Sequence, residues 1–204
     1  DSLPTGNDQY TISVWIKPLS ANNGGIVAWG TCIEDFNSCN GIKIRTNANS
    51  DVEIVNFWNG NDLAAVPDST HFSLGTWHHI LAVCDQEGER KLYVDSHLLA
   101  IDLPGWVHKV EATNAHVGTA NGDQYFHGEI DELAIWKKAL NSEEVLMLYN
   151  HSSCDIGSDP NICISACDGS MYIPDHSVWD FDHLPSFQKH YAPQIQVKQM
   201  VWDY

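Results

Sequence analysis

Apolar and polar positions alternate in short runs along most of the chain up to Trp136, and clusters of Asn, Gly, Asp and Pro separate one run from the next. The runs are Tyr10 to Ile16, Gly25 to Trp29, Gly41 to Thr46, Val52 to Trp58, His78 to Cys84 and Arg90 to Val94, each of strand length. In Ile42-Lys43-Ile44-Arg45 and Lys91-Leu92-Tyr93-Val94 the alternation has a period of two, so one face of each strand is apolar and the other wet. Ile80 to Cys84 is continuously apolar and reads as a buried strand. Asp85 to Glu89, with Gly88 inside it, joins two runs and predicts a β-hairpin over His78 to Val94 with a five-residue connection. Asn59-Gly60-Asn61-Asp62 closes the strand ending at Trp58. Strands spaced this closely are an all-β signature.

One helix is expected, starting at Asn141, where Asn141 and Glu144 stand in capping-box register ahead of Val145, Leu146, Leu148 and Tyr149. It is short and should pack on a sandwich closed by the strand that follows Gly128. Beyond Cys154 the periodicity fades and Gly, Pro, Asp, Ser and His dominate, with single aromatics at Tyr172, Trp179, Phe181 and Phe187. The expectation is therefore an antiparallel two-sheet sandwich over residues 1–153 and an irregular cysteine-containing appendage over 154–204. The final stretch, Gln194 to Tyr204, alternates again and could add a last strand to this molecule or to a neighbour.

Composition narrows the function. The chain has 204 residues and 43% hydrophobic ones, with eight Trp, seven Tyr and six Phe, which is ample for a packed core. Twenty-seven acidic residues against ten basic ones leave a net charge of −17, which repels nucleic acid and anionic membranes. No apolar run is long enough to cross a bilayer, and no charged-then-apolar leader opens the chain, as expected of a mature or excised segment. Six cysteines, Cys32, Cys39, Cys84, Cys154, Cys163 and Cys167, show no Cys-x-x-Cys pairing, so disulfides are expected and with them an oxidising, extracellular compartment. Cys32 and Cys39 bracket a short polar stretch as a local staple would, whereas Cys84 sits in the apolar strand as a free thiol. Asn150-His151-Ser152 is a glycosylation sequon.

Three segments taken in order carry a family pattern: Tyr10-Thr11-Ile12-Ser13-Val14-Trp15-Ile16-Lys17-Pro18; Gly75-Thr76-Trp77-His78-His79-Ile80 followed by Lys91 to Asp95; and Tyr125 to Trp136 followed by Ala139 to Val145. Over about residues 8–150 the chain resembles the laminin G-like, concanavalin A-like jelly roll. The resemblance implies two stacked antiparallel sheets, one convex and one concave, with ligands on the concave face or at rim loops. Ser50 to Trp58 is similar to the pentraxin segment entering a calcium site, but the pentraxin cysteine hallmark is missing from the His79 to Cys84 strand, so pentameric assembly is not implied.

Some members of this fold are retaining glucanases with paired carboxylates on one strand. Here Glu129-Ile130-Asp131 begins such a pattern, but Leu133 and Ala134 stand where the second glutamate belongs, and strict alternation sends Glu132 to the face opposite Glu129 and Asp131. The family instead uses an acidic residue at Asp131 beside calcium loops. Oxygen donors for calcium are available from Asn49 with Asp51, and from Asn121, Asp123 and Gln124 before Tyr125. Zinc is disfavoured because His78 and His79 point to opposite faces of a strand. Trp58 with Asn59 and Asn61, Trp106 after Pro104-Gly105, and Tyr125 are the candidate ligand contacts, an aromatic face beside polar groups being suited to sugar rings. The function expected is a secreted, non-catalytic recognition module for a glycan or an extracellular protein, with calcium holding its rim. The alternatives are a filament or coat subunit that self-associates through residues 155–204, and a polysaccharide-degrading enzyme.

Overall fold

The computed structural model describes residues 3–32, 36–120 and 122–152, together with a short strand at 197–198. Their strands are β1 (Tyr10–Pro18), β2 (Gly24–Gly30), β3 (Cys39–Thr46), β4 (Val52–Phe57), β5 (Leu63–Ala65), β6 (His78–Cys84), β7 (Arg90–Val94), β8 (His97–Asp102), β9 (His116–Val117), β10 (Gly128–Trp136) and β11 (Val197–Lys198), with one helix, α1 (Ser142–Ser152). One sheet runs β11-β10-β1-β6-β7-β8 and the other β5-β4-β3-β2-β9. The pairings are antiparallel except for β10 with β11. This is the expected jelly-roll sandwich.

The core follows from the period of two. Tyr10, Ile12, Val14 and Ile16 of β1 meet Ile26, Trp29, Ile42, Ile44 and Ile54 of the facing sheet, and Ile80, Ala82, Leu92, Val94, Ile130 and Ile135 complete the layer. The intervening residues of the first sheet, Leu81, Val83, Tyr93, Ala134 and Trp136, form a second cluster on its outer face with Leu140, Val145 and Leu148. That face is where α1 packs. The capping box is reciprocal: Glu144 N–H donates to Asn141 Oδ1 at 3.0 Å, and Asn141 N–H donates to Glu144 Oε2 at 2.9 Å. Glu143 and Glu144 also place negative charge at the positive end of the helix.

Two local departures matter. In β10 a bulge opposes Val14 with two residues, since Ser13 pairs with Ala134 but Trp15 with Asp131. Glu132, at φ +49°, is the extra residue, which resets the alternation so that Leu133 packs towards the core and Ala134 towards α1. Strand β8 is absent from the sequence expectation because its hairpin turn is unusual. Val94 pairs with His97 across the two residues Asp95 and Ser96, both at positive φ, a I′-type turn without the customary Asn-Gly. Asp95 offsets that conformation by accepting His79 N–H at 2.8 Å and bonding His78 Nδ1 at 2.7 Å.

The Cys32–Cys39 disulfide forms as expected, and Cys84 is free and buried. Apart from β11, the appendage over 154–204, its three cysteines and its proposed self-association lie outside the described residues.

Candidate functional site

The end of the sandwich where β1 finishes and β2 begins carries the residues expected to bind calcium. Gly24 pairs with Ile44 and Gly25 is bridged to Tyr125, which brings the Asn47–Asp51 turn and the loop before Tyr125 to this end. A Cβ on Gly25 would lie 2.0 Å from the Ala120 nitrogen, so only glycine lets that loop cross β2 so closely. Asn49 and Asp51 give their N–H groups to Asn47 Oδ1 at 2.8 and 2.9 Å, and Asn47 Nδ2 donates to Asp51 Oδ2 at 3.3 Å, so they build a turn. Asp131 belongs to the other sheet and faces outward opposite Trp15, with Oδ1 accepting Glu132 N–H at 2.9 Å. Asn121 lies outside the described residues, and Asp123 is exposed. Among the described residues no three His, Cys, Asp or Glu side chains gather as a metal site. Gln124 Oε1 is buried without a partner among them, an open acceptor in the loop beside Asp123.

Glu129 is ion-paired with Lys17 at 2.9 Å, so the group facing it across the strands is a cation and not a second carboxylate. His78 and His79 diverge as alternation requires: His78 stacks on Phe72, and His79 on Trp15 and Tyr149. Tyr125 is 48% exposed at this end, remote in the fold from the other aromatic candidates.

The opposite end holds Trp58 and Trp106, and the structure separates their roles. Trp58 is 2% exposed, against the expectation of an open stacking platform. His108 stacks on its ring at 3.9 Å, the Arg90 guanidinium lies 4.1 Å from the ring centroid, and its indole N–H donates to Tyr10 Oη at 3.0 Å. Asn59 and Asn61 belong to the turn that closes behind it. Asp62 Oδ1 accepts Asn59 N–H at 3.1 Å, and the Asn61 carbonyl accepts from Arg90 Nη1 at 2.7 Å. Arg90 is also held by both oxygens of Asp102, at 2.9 and 2.6 Å.

Trp106 is 62% exposed. It borders a cleft of about 300 Å³ whose walls include Asn7, Asp8, Gln86, Glu87 and Val107, with the buried Trp58 and Cys84 reaching only its floor. The cleft is anchored from behind by His108, whose Nε2 must donate to the Cys39 carbonyl at 2.8 Å, while its backbone N–H donates to Asn7 Oδ1 at 2.9 Å. Burial holds its imidazole down at about 4, against the proton-favouring bond to Cys39 and with help from Arg90.

Asn37, which no sequence motif marks, ties these parts together. Its N–H donates to the Asn59 carbonyl at 3.1 Å, its carbonyl accepts Lys109 N–H at 2.7 Å, and its Oδ1 accepts from Asn61 Nδ2 at 2.9 Å. It sits at φ +60° inside the loop closed by the Cys32–Cys39 disulfide. Replacing both cysteines by serine should lower stability by about 2.5 kcal/mol through loop-closure entropy. Urea unfolding measures this directly, and a loss below a few tenths would mean the loop is held without the bond.

Among the described residues no helix is long and apolar enough to cross a membrane. Residues 1–146 match the family model of the concanavalin A-like lectin/glucanases superfamily. The adhesion G-protein coupled receptor V1 of Danio rerio is 24% identical over 69% of this chain, which spans 2% of that receptor's length. A heptameric SAP-like pentraxin from Limulus polyphemus superposes with a TM-score of 0.57 at 18% identity, over 73% of this chain and 72% of that one. Domain 4 of the GH43 extracellular arabinanase AbnA from Geobacillus stearothermophilus, in complex with arabinotriose, superposes with a TM-score of 0.54 at 20% identity, over 72% and 68%. With its two-sheet core, its helix on the outer face and a family match over most of its length, this chain belongs to the concanavalin A-like lectin/glucanases superfamily, in its laminin G form.

Proposed function

We propose that this chain is an extracellular recognition module that binds a glycan or a protein partner without turning it over, and that Trp106 is its main contact. The observation that carries this reading is the exposed indole of Trp106 at a cleft whose walls also offer the amides of Asn7 and Gln86. An exposed ring beside amide and carboxylate groups suits both sugar C–H faces and peptide side chains. The arabinotriose held by the arabinanase domain of the same fold supports the glycan branch by analogy of fold alone. The disulfide supports an oxidising compartment. The non-catalytic part draws on Glu129, whose cross-strand neighbour is Lys17 where a retaining hydrolase needs a second carboxylate. Glycan-array and extracellular-protein binding screens test the reading. Trp106→Ala should weaken any ligand found by roughly tenfold or more, as for a central aromatic anchor, and unchanged affinity would remove the cleft from the function.

Calcium belongs to the same proposal in a narrower form. The loop carrying Asp123 and the open Gln124 Oε1 is the place for it, with carbonyl oxygens completing the shell and without Asp51 or Asp131. Millimolar calcium should raise the melting temperature of the wild type and not of Asp123→Ala. An equal rise in both, or none in either, would reject that loop.

A further inference from the structure

Leu98, Ile101, Leu103, Trp106 and Val107 are each at least 50% exposed and follow one another along β8 and the loop that leads into the cleft. Strand β8 is the edge of the six-stranded sheet. Its inner edge pairs with β7, and although β5 of the facing sheet lies close to it, among the described residues no backbone bond joins the two. Leu98 lies opposite Tyr93 and Ile101 opposite Lys91, and the bulge between Leu92 and Tyr93 puts both leucine and isoleucine on the outer face despite their odd spacing. Open strand edges are ordinarily blunted by charge, because an apolar one invites another chain to pair. From His97 to Ile101 no carboxylate, lysine or arginine does this, and Asp102 is engaged by Arg90.

The cleft at the end of this strip is acidic. Asp8 and Glu87 line it, and no lysine or arginine does. Asp8 is shared with Lys137 at 3.4 Å, whereas the Glu87 carboxylate makes no hydrogen bond or ion pair among the described residues. His108 adds no positive charge near neutral pH.

We propose that β8 and the Trp106 cleft form one docking groove for an extended segment of a basic protein partner. The segment adds a strand to the free edge of β8, rests apolar side chains on Leu98 and Ile101, and places a lysine or arginine beside Glu87 and the Trp106 indole. The occupant follows from charge complementarity: the chain carries −17 overall, so a second copy would meet like charge, and a neutral glycan would leave Glu87 and the aliphatic strip unused. The proposal rests on the reading of the Trp106 cleft as the binding site.

The probe is a short synthetic peptide of alternating valine and lysine, titrated against the full chain at physiological salt and compared with a valine–glutamate peptide and with an N-methylated valine–lysine peptide. The valine–lysine peptide should bind and protect β8 amides from hydrogen exchange, and the other two should not bind. Glu87→Lys and Trp106→Ala should each weaken it roughly tenfold, while the charge-matched Glu143→Lys on α1 should change affinity by less than about twofold. Equal weakening by Glu143→Lys, binding that survives N-methylation, or dimers in sedimentation that vanish on Leu98→Lys would overturn the proposal. A neutral glycan bound through Trp106 with no peptide bound would overturn it and leave the recognition reading intact. Loss of no ligand on Trp106→Ala would overturn both.

Discussion

Acidifying this protein from pH 6.5 to about 4 is expected to remove about 3 kcal/mol of stability for each of two buried histidines, His79 and His108. Both imidazoles are held down at about 4, from an ordinary value of 6.5, chiefly because burial penalises the cation. Neither ring nitrogen of His79 bonds a carboxylate: the ring stacks on Trp15, its Nε2 meets Ser13 Oγ at 2.8 Å, and its Nδ1 is buried without a partner among the described residues, while the charge of Asp95, which accepts the backbone N–H, only partly restores the proton. His108 shares the Trp58 ring with Arg90, which adds repulsion. The sign follows from proton uptake. Between pH 6.5 and 4 the unfolded chain binds a proton at each histidine and the fold does not, so stability is full above 6.5 and falls until about 4. Urea midpoints measured across that range check it, and His79→Gln should remove about half of the slope. A flat profile down to pH 5 would mean that the rings protonate in the fold.

The fold was legible because its main strands are written in a period of two with turn residues between them, and because Asn141 and Glu144 announce the helix. What escaped had no local signal. Strand β8 hides behind an Asp95-Ser96 turn whose conformation is stabilised by two histidines from β6, a contact between strands that no window of sequence contains. The Glu132 bulge shows only in the register of β1 against β10. The exposure of Trp106 is legible from the Pro104-Gly105 loop that precedes it, whereas the asparagine neighbours of Trp58 give no sign of its burial. Its burial depends on Arg90 and His108, which lie more than thirty positions further along the chain. Asn and Asp serve turns and metals with one chemistry, and the hydrogen bonds to Asn47 show the turn role of Asn49 and Asp51 that the sequence alone does not separate from a metal role.

Asp102→Ala is expected to cost about 3–5 kcal/mol, among the largest effects of any single substitution here. Arg90 is 1% exposed and Asp102 supplies two of its three bonds, so the variant leaves a buried guanidinium with the Asn61 carbonyl and the face of Trp58 alone. Because Asp102 is itself 32% exposed, water can reach part of the vacancy, which favours the lower end of that range. The double variant Arg90→Met, Asp102→Leu should recover most of the loss, since a buried pair is worth little against apolar side chains of similar volume. Urea unfolding of the two single variants and the double completes the cycle. Ligand affinity then separates two roles for the pair. Asp102 ends β8 four residues before Trp106, and Arg90 ties that point to the Asn61 turn and the Trp58 floor of the cleft. A double variant that is stable but binds weakly would show that the ion pair positions the cleft, whereas one that binds as the wild type does would confine the pair to folding.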